Sequence, residues 1–386
     1  MAAKTRKPVN PFKPTAGRMP PMLIGRNDII EDFEEGLDNG SGAPGRLMRV
    51  TGSRGVGKTV ILTEFGRIAR ARHWEVIDET ASAGLSQRLI DRLTTSNPIS
   101  LSFKPSLSIP AIGGITVGET TIARQRMPLT LREAMERRLD TLERRHAGLL
   151  ITIDEAHAAQ RDDMVAIATS VQHLIREERD IAFVFAGLPT IASKWLNDEV
   201  LTFLRRAQAE QLGDIPLQNV EDAFVDTFDE GGLVFEGDPL RLAVEATEGY
   251  PFMIQLVGYH IWRIVDRRRK EDAGALPTVS DDDARQGIAN ALSRLGDAVH
   301  GPELDGLSPI DKTYLLAMAQ DDGPSSTSAV AQRIGKGVAY ANIYRTRLIE
   351  AQVIRNMGYG KVDFAIPYLR EYLREHAAYF RMSSDQ

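Results

Sequence analysis

The sequence has 386 residues and a formal net charge of −6 at pH 7, from 47 Lys and Arg against 53 Asp and Glu. Its 42% hydrophobic and 26% charged residues are ordinary for packed globular domains, which excludes a wholly disordered or collagen-like chain. The length predicts two or three domains. Because cysteine is absent, disulfides, thiolate metal sites and a cysteine nucleophile are excluded.

Residues 1–21 are basic and proline-rich and show no periodicity. We interpret them as a basic, flexible arm in solvent, with a nucleic-acid contact as the alternative. They contain no apolar core of the kind that secretory signals have, and the sequence contains no run of about 18 uncharged apolar residues, so neither a signal peptide nor a membrane span is predicted. A cytoplasmic protein is expected.

The order of strands and helices predicts an α/β domain in residues 22–217. Alternating helix and strand patterns occupy Asp28–Leu37, Arg46–Thr51, Thr59–Arg72, Glu75–Asp78, Thr130–Arg145, Gly148–Ile153, Met164–Arg179 and Ile181–Ala186. Two of the strands are unbroken apolar runs, which indicates burial on both faces, so we expect a doubly wound parallel sheet. Period-two apolar residues near 100–118 predict a β-hairpin inserted into this domain.

Two smaller regions follow the α/β domain. Residues 218–300 are predicted to form a helical lid, because apolar residues recur at helical spacing along Val220–Arg269. Gly301–Leu307 is predicted to separate the lid from a last domain, residues 301–386. That domain has the order helix, helix, glycine turn, helix and two-stranded wing, which is typical of a winged helix-turn-helix.

A glycine-rich stretch directly after the strand Arg46–Thr51 has the strongest chemical signal. It has the pattern G-x-x-x-x-G-K-T and opens a helix, as in loops that bind nucleotide phosphates. Backbone N–H groups and the helix N-terminus attract anions, the Lys58 ammonium can reach the β- and γ-phosphates, and the Thr59 hydroxyl can hold Mg²⁺. The alternative is a chance glycine-rich turn. The predicted nucleotide-binding residues of this stretch are Gly52, Ser53, Arg54, Gly55, Val56, Gly57, Lys58, Thr59 and Val60.

Two adjacent carboxylates follow the buried strand Gly148–Ile153. Asp154 is predicted to bind Mg²⁺ through water, and Glu155 to polarise the water that attacks the γ-phosphate. A helix cap is the alternative. Asp154–His157 also spells a helicase signature, but the sequence lacks the second nucleotide-binding lobe and the downstream motifs that such helicases need. A guanine-recognition motif Asn-Lys-x-Asp is absent too, so ATP is favoured over GTP.

Together these motifs resemble the AAA+ ATPases, and among them the origin-recognition and initiator-like clade that carries a C-terminal winged helix. The resemblance extends over nearly the whole chain, and it is to an actinobacterial branch rather than to true replication initiators. It implies that Leu23 and Ile24, in the segment Pro21–Arg26, contact adenine. It also implies a first sensor after the strand Ile181–Ala186, where Thr190 offers a hydroxyl.

The same resemblance places an arginine finger within Leu201–Ala207. Arg205 and Arg206 would then stabilise charge on a neighbouring subunit's γ-phosphate, which implies a homo-oligomer. The alternative is two charges on a helix surface. The family's second sensor is an arginine in the lid, whereas Gly249–Phe252 contains no arginine. This departure argues against efficient hydrolysis.

The predicted winged helix is locally basic, because residues 331–362 contain six Lys or Arg and one Glu, a local charge of +5. Such clustering favours contact with the backbone of double-stranded DNA. The predicted DNA-contacting residues are Lys336, Asn342, Arg345, Arg347 and Lys361. A protein partner is the alternative, since a winged helix can also serve as a protein-docking module.

The sequence thus predicts a protein that binds and hydrolyses ATP with Mg²⁺, and whose nucleotide state controls assembly or DNA binding. The alternative is a slow nucleotide-dependent signalling or scaffold switch whose winged helix binds a protein.

Overall fold

The computed structural model of the protein describes residues 9–15, 18–95, 129–191, 195, 201–271 and 276–378. The predicted β-hairpin near 100–118 lies outside these residues, as do residues 1–8, 16 and 17 of the predicted basic arm. Within the described part of the chain, no helix combines the length and the apolar character needed to cross a membrane.

Five parallel strands form the central sheet in the order β2-β3-β4-β1-β5, which confirms the predicted fold class. These strands are β1 (Leu47–Thr51), β2 (Glu75–Thr80), β3 (Leu149–Asp154), β4 (Ile181–Gly187) and β5 (Gln208–Gln211). Every residue of β4 is buried, as expected for a strand with helices on both faces. Because β1 and β3 both run parallel to β4, their carboxyl ends meet at one edge of the sheet.

Helices cover both faces of the sheet. They are α1 (Asn27–Asp38), α2 (Lys58–Ala71), α3 (Leu85–Thr94), α4 (Leu131–Glu143) and α5 (Arg161–Arg176). α1 and α2 pack in one apolar layer, where the rings of Phe33 and Phe65 stack at 4.2 Å, and α3 to α5 pack in the other. This burial of apolar surface on both sides fixes the sheet and its carboxyl edge.

The helical region contains α6 (Leu217–Glu230), α7 (Gly237–Glu245), α8 (Pro251–Glu271) and α9 (Asp281–Leu295). Ser280 caps α9 in a capping box with Asp283, which explains why the helix starts there. Residues 9–15 lie against this region, with Phe12 only 2% exposed and its ring among those of Phe224, Phe228 and Trp262. The prediction of a solvated arm was therefore wrong for these residues, because one aromatic side chain anchors them.

The predicted separator Gly301–Leu307 is mostly helical, contrary to the sequence prediction. α9 continues through a π-helical turn, Gly296–His300, directly into α10 (Gly301–Asp305). His300 is buried in that turn, and its Nε2 lies 2.8 Å from the carbonyl oxygen of Pro367. The glycines that suggested a loop are accommodated in helical backbone, because tertiary packing overrides their weak helix propensity.

The C-terminal region has its own apolar core and a small antiparallel sheet in the order β6-β8-β7. Its elements are α11 (Pro309–Met318), β6 (Ser325–Ser326), α12 (Thr327–Arg333), α13 (Val338–Glu350), β7 (Ile354–Asn356), β8 (Lys361–Phe364) and α14 (Leu369–Glu375). The predicted order of three helices followed by a two-stranded hairpin is confirmed. β6 and α14 were not predicted.

Candidate nucleotide site

The glycine-rich loop connects the carboxyl end of β1 to the first turn of α2. Gly55 and Gly57 have φ values of 76° and 97°, in the left-handed region that favours glycine. A Cβ added to Gly57 would meet no atom within 4 Å, so this side of the loop faces open space. The loop therefore combines left-handed backbone, a free face and a helix N-terminus, which is the geometry of an anion-binding nest.

Lys58 is buried within this loop, with only 6% of its surface exposed. Its Nζ donates hydrogen bonds to the carbonyl oxygens of Gly52 at 3.0 Å and Ser53 at 2.8 Å. Burial lowers the pKa of the Lys58 ammonium, and the nearby carboxylates of Glu155 and Asp154 act in the opposite direction. A cation fixed beneath the loop suits the binding of phosphate groups.

Two elements distant in sequence meet beside Lys58. The Thr59 hydroxyl, in the first turn of α2, donates a hydrogen bond of 2.5 Å to Oδ2 of Asp154 at the end of β3. Asp154 Oδ1 accepts the backbone N–H of Glu155 at 2.8 Å. Glu155 has a φ of 51°, and its carboxylate lies 3.3 Å from Nδ1 of His157. The parallel sheet thus brings the predicted metal-binding pair together and places Glu155 beside it.

A cavity of about 410 Å³ opens over the loop, a size within the usual range for small-molecule sites. Its wall includes the predicted residues Leu23, Ile24, Arg54, Gly55, Val56, Gly57, Lys58, Thr59, Val60 and Glu155. Ile24 also packs against the apolar core. Gly52, Ser53 and Asp154 lie behind this wall, in contact with Lys58 or Thr59. The wall thus combines apolar side chains with a phosphate-binding type of loop, the two kinds of surface that a nucleotide needs.

Comparison with family models assigns two parts of the chain. Residues 22–184 match the model described as AAA ATPase domain, and residues 297–373 match a domain of unknown function, DUF8462. The first match contains the loop, Asp154, Glu155 and β4. Residues 22–184 are therefore similar to an AAA ATPase domain.

Solved structures share the fold of the whole described chain. The Walker-type ATPase PABY2304 of Pyrococcus abyssi is 17% identical with a TM-score of 0.65, and the match covers 91% of this chain and 96% of that one. The ORC2 protein of Aeropyrum pernix, solved in ADPNP–ADP complexes, is 13% identical with a TM-score of 0.63 and coverages of 97% and 98%. A comparison with curated proteins finds no match.

The two positions that the family resemblance predicts as sensors, one after β4 and one before α8, differ in what they offer. Gly187 ends β4 next to His157, and Thr190 follows it, half-buried. In the lid, Tyr250 lies at the start of α8, is 2% exposed, and donates a hydrogen bond of 3.1 Å to the carbonyl oxygen of Arg54. Burial raises the pKa of the Tyr250 hydroxyl, which keeps it a neutral donor. Phe252, three residues after Gly249, thus occupies the position where the family pattern has an arginine, and the tyrosine two residues before it is bound to the phosphate loop.

Arg205 and Arg206 are not brought to the chain's own phosphate loop. They end a 3₁₀ turn, Thr202–Arg206, that immediately precedes β5. Since β5 runs parallel to β1, with Met48 opposite Gln208, both arginines lie at the amino edge of the sheet, whereas the loop lies at the carboxyl edge. Both residues are exposed.

The predicted DNA-contacting residues are on α13 and around it, in differing environments. Asn342 and Lys361 are exposed, and Lys336 Nζ lies 5.6 Å from the centre of the Tyr340 ring. Arg345 donates a hydrogen bond of 3.1 Å to Asn356 Oδ1 in β7. Arg347 forms an ion pair at 2.9 Å with Asp311, whose side chain is fully buried. The positive charge of Arg347 is therefore paired within the protein.

Sequence reasoning missed two residues at the cavity. Tyr250 lies within Gly249–Phe252, where the sequence analysis considers only the absence of an arginine. Glu303 lies within the stretch Gly301–Leu307, which was predicted to be a separator between domains. No local sequence pattern indicates Glu303, because its ion pair with Arg54 joins residues that are 249 positions apart.

Proposed function

We propose that the protein binds ATP in this cavity and hydrolyses it. The observation that supports this most is that Lys58, Thr59 and Glu155 line one cavity together with Leu23 and Ile24, while Asp154 is bonded to Thr59 directly behind its wall. Lys58 and the loop N–H groups would hold the phosphates, and Leu23 and Ile24 would contact the adenine.

The residues present fit Mg²⁺. A hydroxyl and a carboxylate oxygen 2.5 Å apart are hard oxygen donors, which Mg²⁺ accepts together with water and phosphate oxygens. We propose Thr59 and Asp154 as the residues that hold it, directly or through water. When bound, Mg²⁺ would neutralise charge on the phosphate oxygens during transfer.

Glu155 is proposed as the base. Its side chain is 42% exposed and lines the cavity, so water can reach the carboxylate. In the reaction, the water oxygen bonds to the γ-phosphorus, the bond from that phosphorus to the β-phosphate oxygen breaks, and Glu155 accepts the proton of the water. ADP and phosphate are the products.

We propose that Arg206, with Arg205, acts on the nucleotide of a neighbouring subunit, because their position at the opposite sheet edge excludes the chain's own site. An arginine donated across an interface neutralises charge in the transition state. Mixing Arg206→Ala protein with Lys58→Ala protein is therefore expected to recover turnover, to roughly a quarter of the wild-type rate if subunits assemble at random. Each variant alone is the control. A mixture that recovers no turnover at any ratio of the two variants would contradict action between subunits.

We infer a division into an ATPase core at 22–217, a lid at 218–300 and a winged helix at 301–386, as in the origin-recognition and initiator-like clade. The helix and hairpin order of the last region supports this. The winged helix is proposed to bind double-stranded DNA through α13 and the hairpin, where Asn342, Arg345 and Lys361 lie on or beside the exposed face.

DNA binding through phosphate contacts makes the affinity depend steeply on salt. The slope of log affinity against log salt concentration is expected to become shallower by about one in Lys361→Ala, because each lost phosphate contact removes one released counterion. Gel-shift titrations at several salt concentrations measure this, with Lys270→Ala on α8 as the matched control. A flat salt response of the wild-type protein would exclude the DNA proposal.

A protein partner is the second candidate for the same surface. Val338 and Ile343 on α13 and Met357 and Tyr359 in the hairpin are exposed apolar residues, with Tyr359 fully exposed. Such a patch is more typical of protein docking than of phosphate contacts. Stimulation of ATP turnover by double-stranded DNA favours the first candidate, and its absence favours the second.

A further inference from the structure

The C-terminal region reaches into the nucleotide cavity. Glu303 lies on α10, within the part of the chain that matches the domain of unknown function rather than the AAA ATPase domain. Its side chain is only 13% exposed and forms an ion pair with Arg54 in the phosphate loop. Val299 and Pro302, from the same helical run, line the cavity that contains Lys58. The cavity is therefore built by two parts of one chain.

Arg54 lies on the phosphate side of that cavity. Its hydrogen bond to Glu303 raises the pKa of the guanidinium, and the carboxylate of Glu155 contributes in the same direction. Its charge also acts on Lys58, where it opposes the effect of the acidic neighbours. The side chain is therefore near the residues proposed to handle the γ-phosphate.

The Arg54 guanidinium retains donors for a ligand. One nitrogen, Nη1, donates to Glu303, and in the described part of the chain no other side chain accepts a hydrogen bond from Arg54. More than half of the side chain, 53%, is exposed, and Arg54 lines the cavity. Because a guanidinium presents five N–H donors in a rigid fork, one edge can bond a carboxylate while another bonds a phosphate oxygen.

The backbone of Arg54 is fixed as well. Its carbonyl oxygen accepts the Tyr250 hydroxyl, and a Cβ added to the next residue, Gly55, would overlap the Tyr250 side chain. Tyr250 therefore fixes the backbone of Arg54, and Glu303 on α10 fixes the position of its guanidinium. Tyr250 itself has no positive charge to offer a phosphate.

We propose that Arg54 contacts the γ-phosphate of ATP bound to the same chain, and that Glu303 positions Arg54 for this contact. The inference depends on the proposed ATP site and assigns within it the residue that distinguishes ATP from ADP. ADP lacks the γ-phosphate, so only ATP gains the contact. By thermodynamic linkage, ATP then strengthens the attachment of α10 to the phosphate loop, and the C-terminal region responds to the nucleotide that is bound.

The test compares the dissociation constants of the non-hydrolysable ATP analogue AMPPNP and of ADP, both with Mg²⁺. In Arg54→Ala, AMPPNP is expected to bind about tenfold more weakly and ADP within about twofold of wild type, since only the contact to the third phosphate is lost. Glu303→Gln should weaken AMPPNP alone, by about threefold, because Arg54 remains but is less well held. Asp305→Asn removes an equal charge from the exposed side of α10 and is the matched control.

A positioning role also predicts how the two changes combine. Glu303→Gln should have no further effect on AMPPNP when Arg54 is already alanine, because Glu303 acts only through Arg54. Additive effects, equal losses for both nucleotides, or an unchanged ratio of affinities would each overturn the inference while leaving the ATP site in place. A wild-type protein that binds neither nucleotide would instead overturn the proposed function.

Discussion

Replacing Lys58 by alanine is expected to weaken ATP binding by about a hundredfold or more, because each hydrogen bond between a charged group and a phosphate contributes roughly 1.5–3 kcal/mol. The change also leaves the carbonyl oxygens of Gly52 and Ser53 without their donor inside the loop. Isothermal titration with AMPPNP and Mg²⁺ measures the loss directly.

The Lys58 prediction requires evidence that the variant is folded. Since bound ligand raises the melting temperature, AMPPNP should stabilise the wild-type protein but not Lys58→Ala, while the ligand-free variant should unfold in one transition near the wild type. Lys361→Ala removes an exposed lysine far along the chain and should bind AMPPNP normally. Equal affinities of wild type and Lys58→Ala would refute the phosphate site.

The second large effect is expected at Glu155. Glu155→Gln should reduce ATP turnover by about 10²–10⁴-fold, the usual contribution of a general base, because the amide cannot accept the proton of the attacking water. The dissociation constant of ATP should change little, since the side chain keeps its size and lines the cavity without holding Lys58 by a hydrogen bond. Single-turnover hydrolysis and equilibrium binding separate the two quantities.

Glu178 provides a matched control for that experiment. It is an exposed glutamate with a φ of 57°, close to the 51° of Glu155, but it follows α5 rather than β3. Glu178→Gln should therefore leave turnover unchanged. Turnover that persists in Glu155→Gln would remove Glu155 from the role of base and point to water activation by another group.

The central sheet could be predicted because its signals are local. The strands at Leu149–Asp154 and Ile181–Gly187 are continuous apolar runs, and nothing but burial on both faces accommodates such runs. Once they are parallel, the carboxyl ends of β1 and β3 must share an edge, which brings Thr59 to Asp154 across a separation of 95 residues. The meeting of the loop with Asp154 and Glu155, the proposed metal and base residues, could therefore be predicted from the sequence.

Other features depend on contacts that no local pattern carries. β5, with the sequence Gln-Ala-Glu-Gln, has no apolar periodicity and is a strand only because its backbone pairs with β1. Phe12 is surrounded by charged and proline residues in sequence, and its burial is decided by an aromatic pocket more than 200 residues away. The local charge of +5 counted over residues 331–362 likewise leaves out two aspartates that precede this stretch. Asp321 pairs with Arg333, and Asp311 pairs with Arg347.

The π-helical turn at Gly296–His300 has a mechanical consequence. From Asp281 to Asp305 the backbone remains helical, so the chain passes from α9 to α10 without an intervening loop. A helical rod transmits rotation and tilt along its axis instead of absorbing them. A shift at its Glu303 end is therefore transmitted back along the rod toward α9, and the displacement grows with distance from the pivot, as it does for a lever arm.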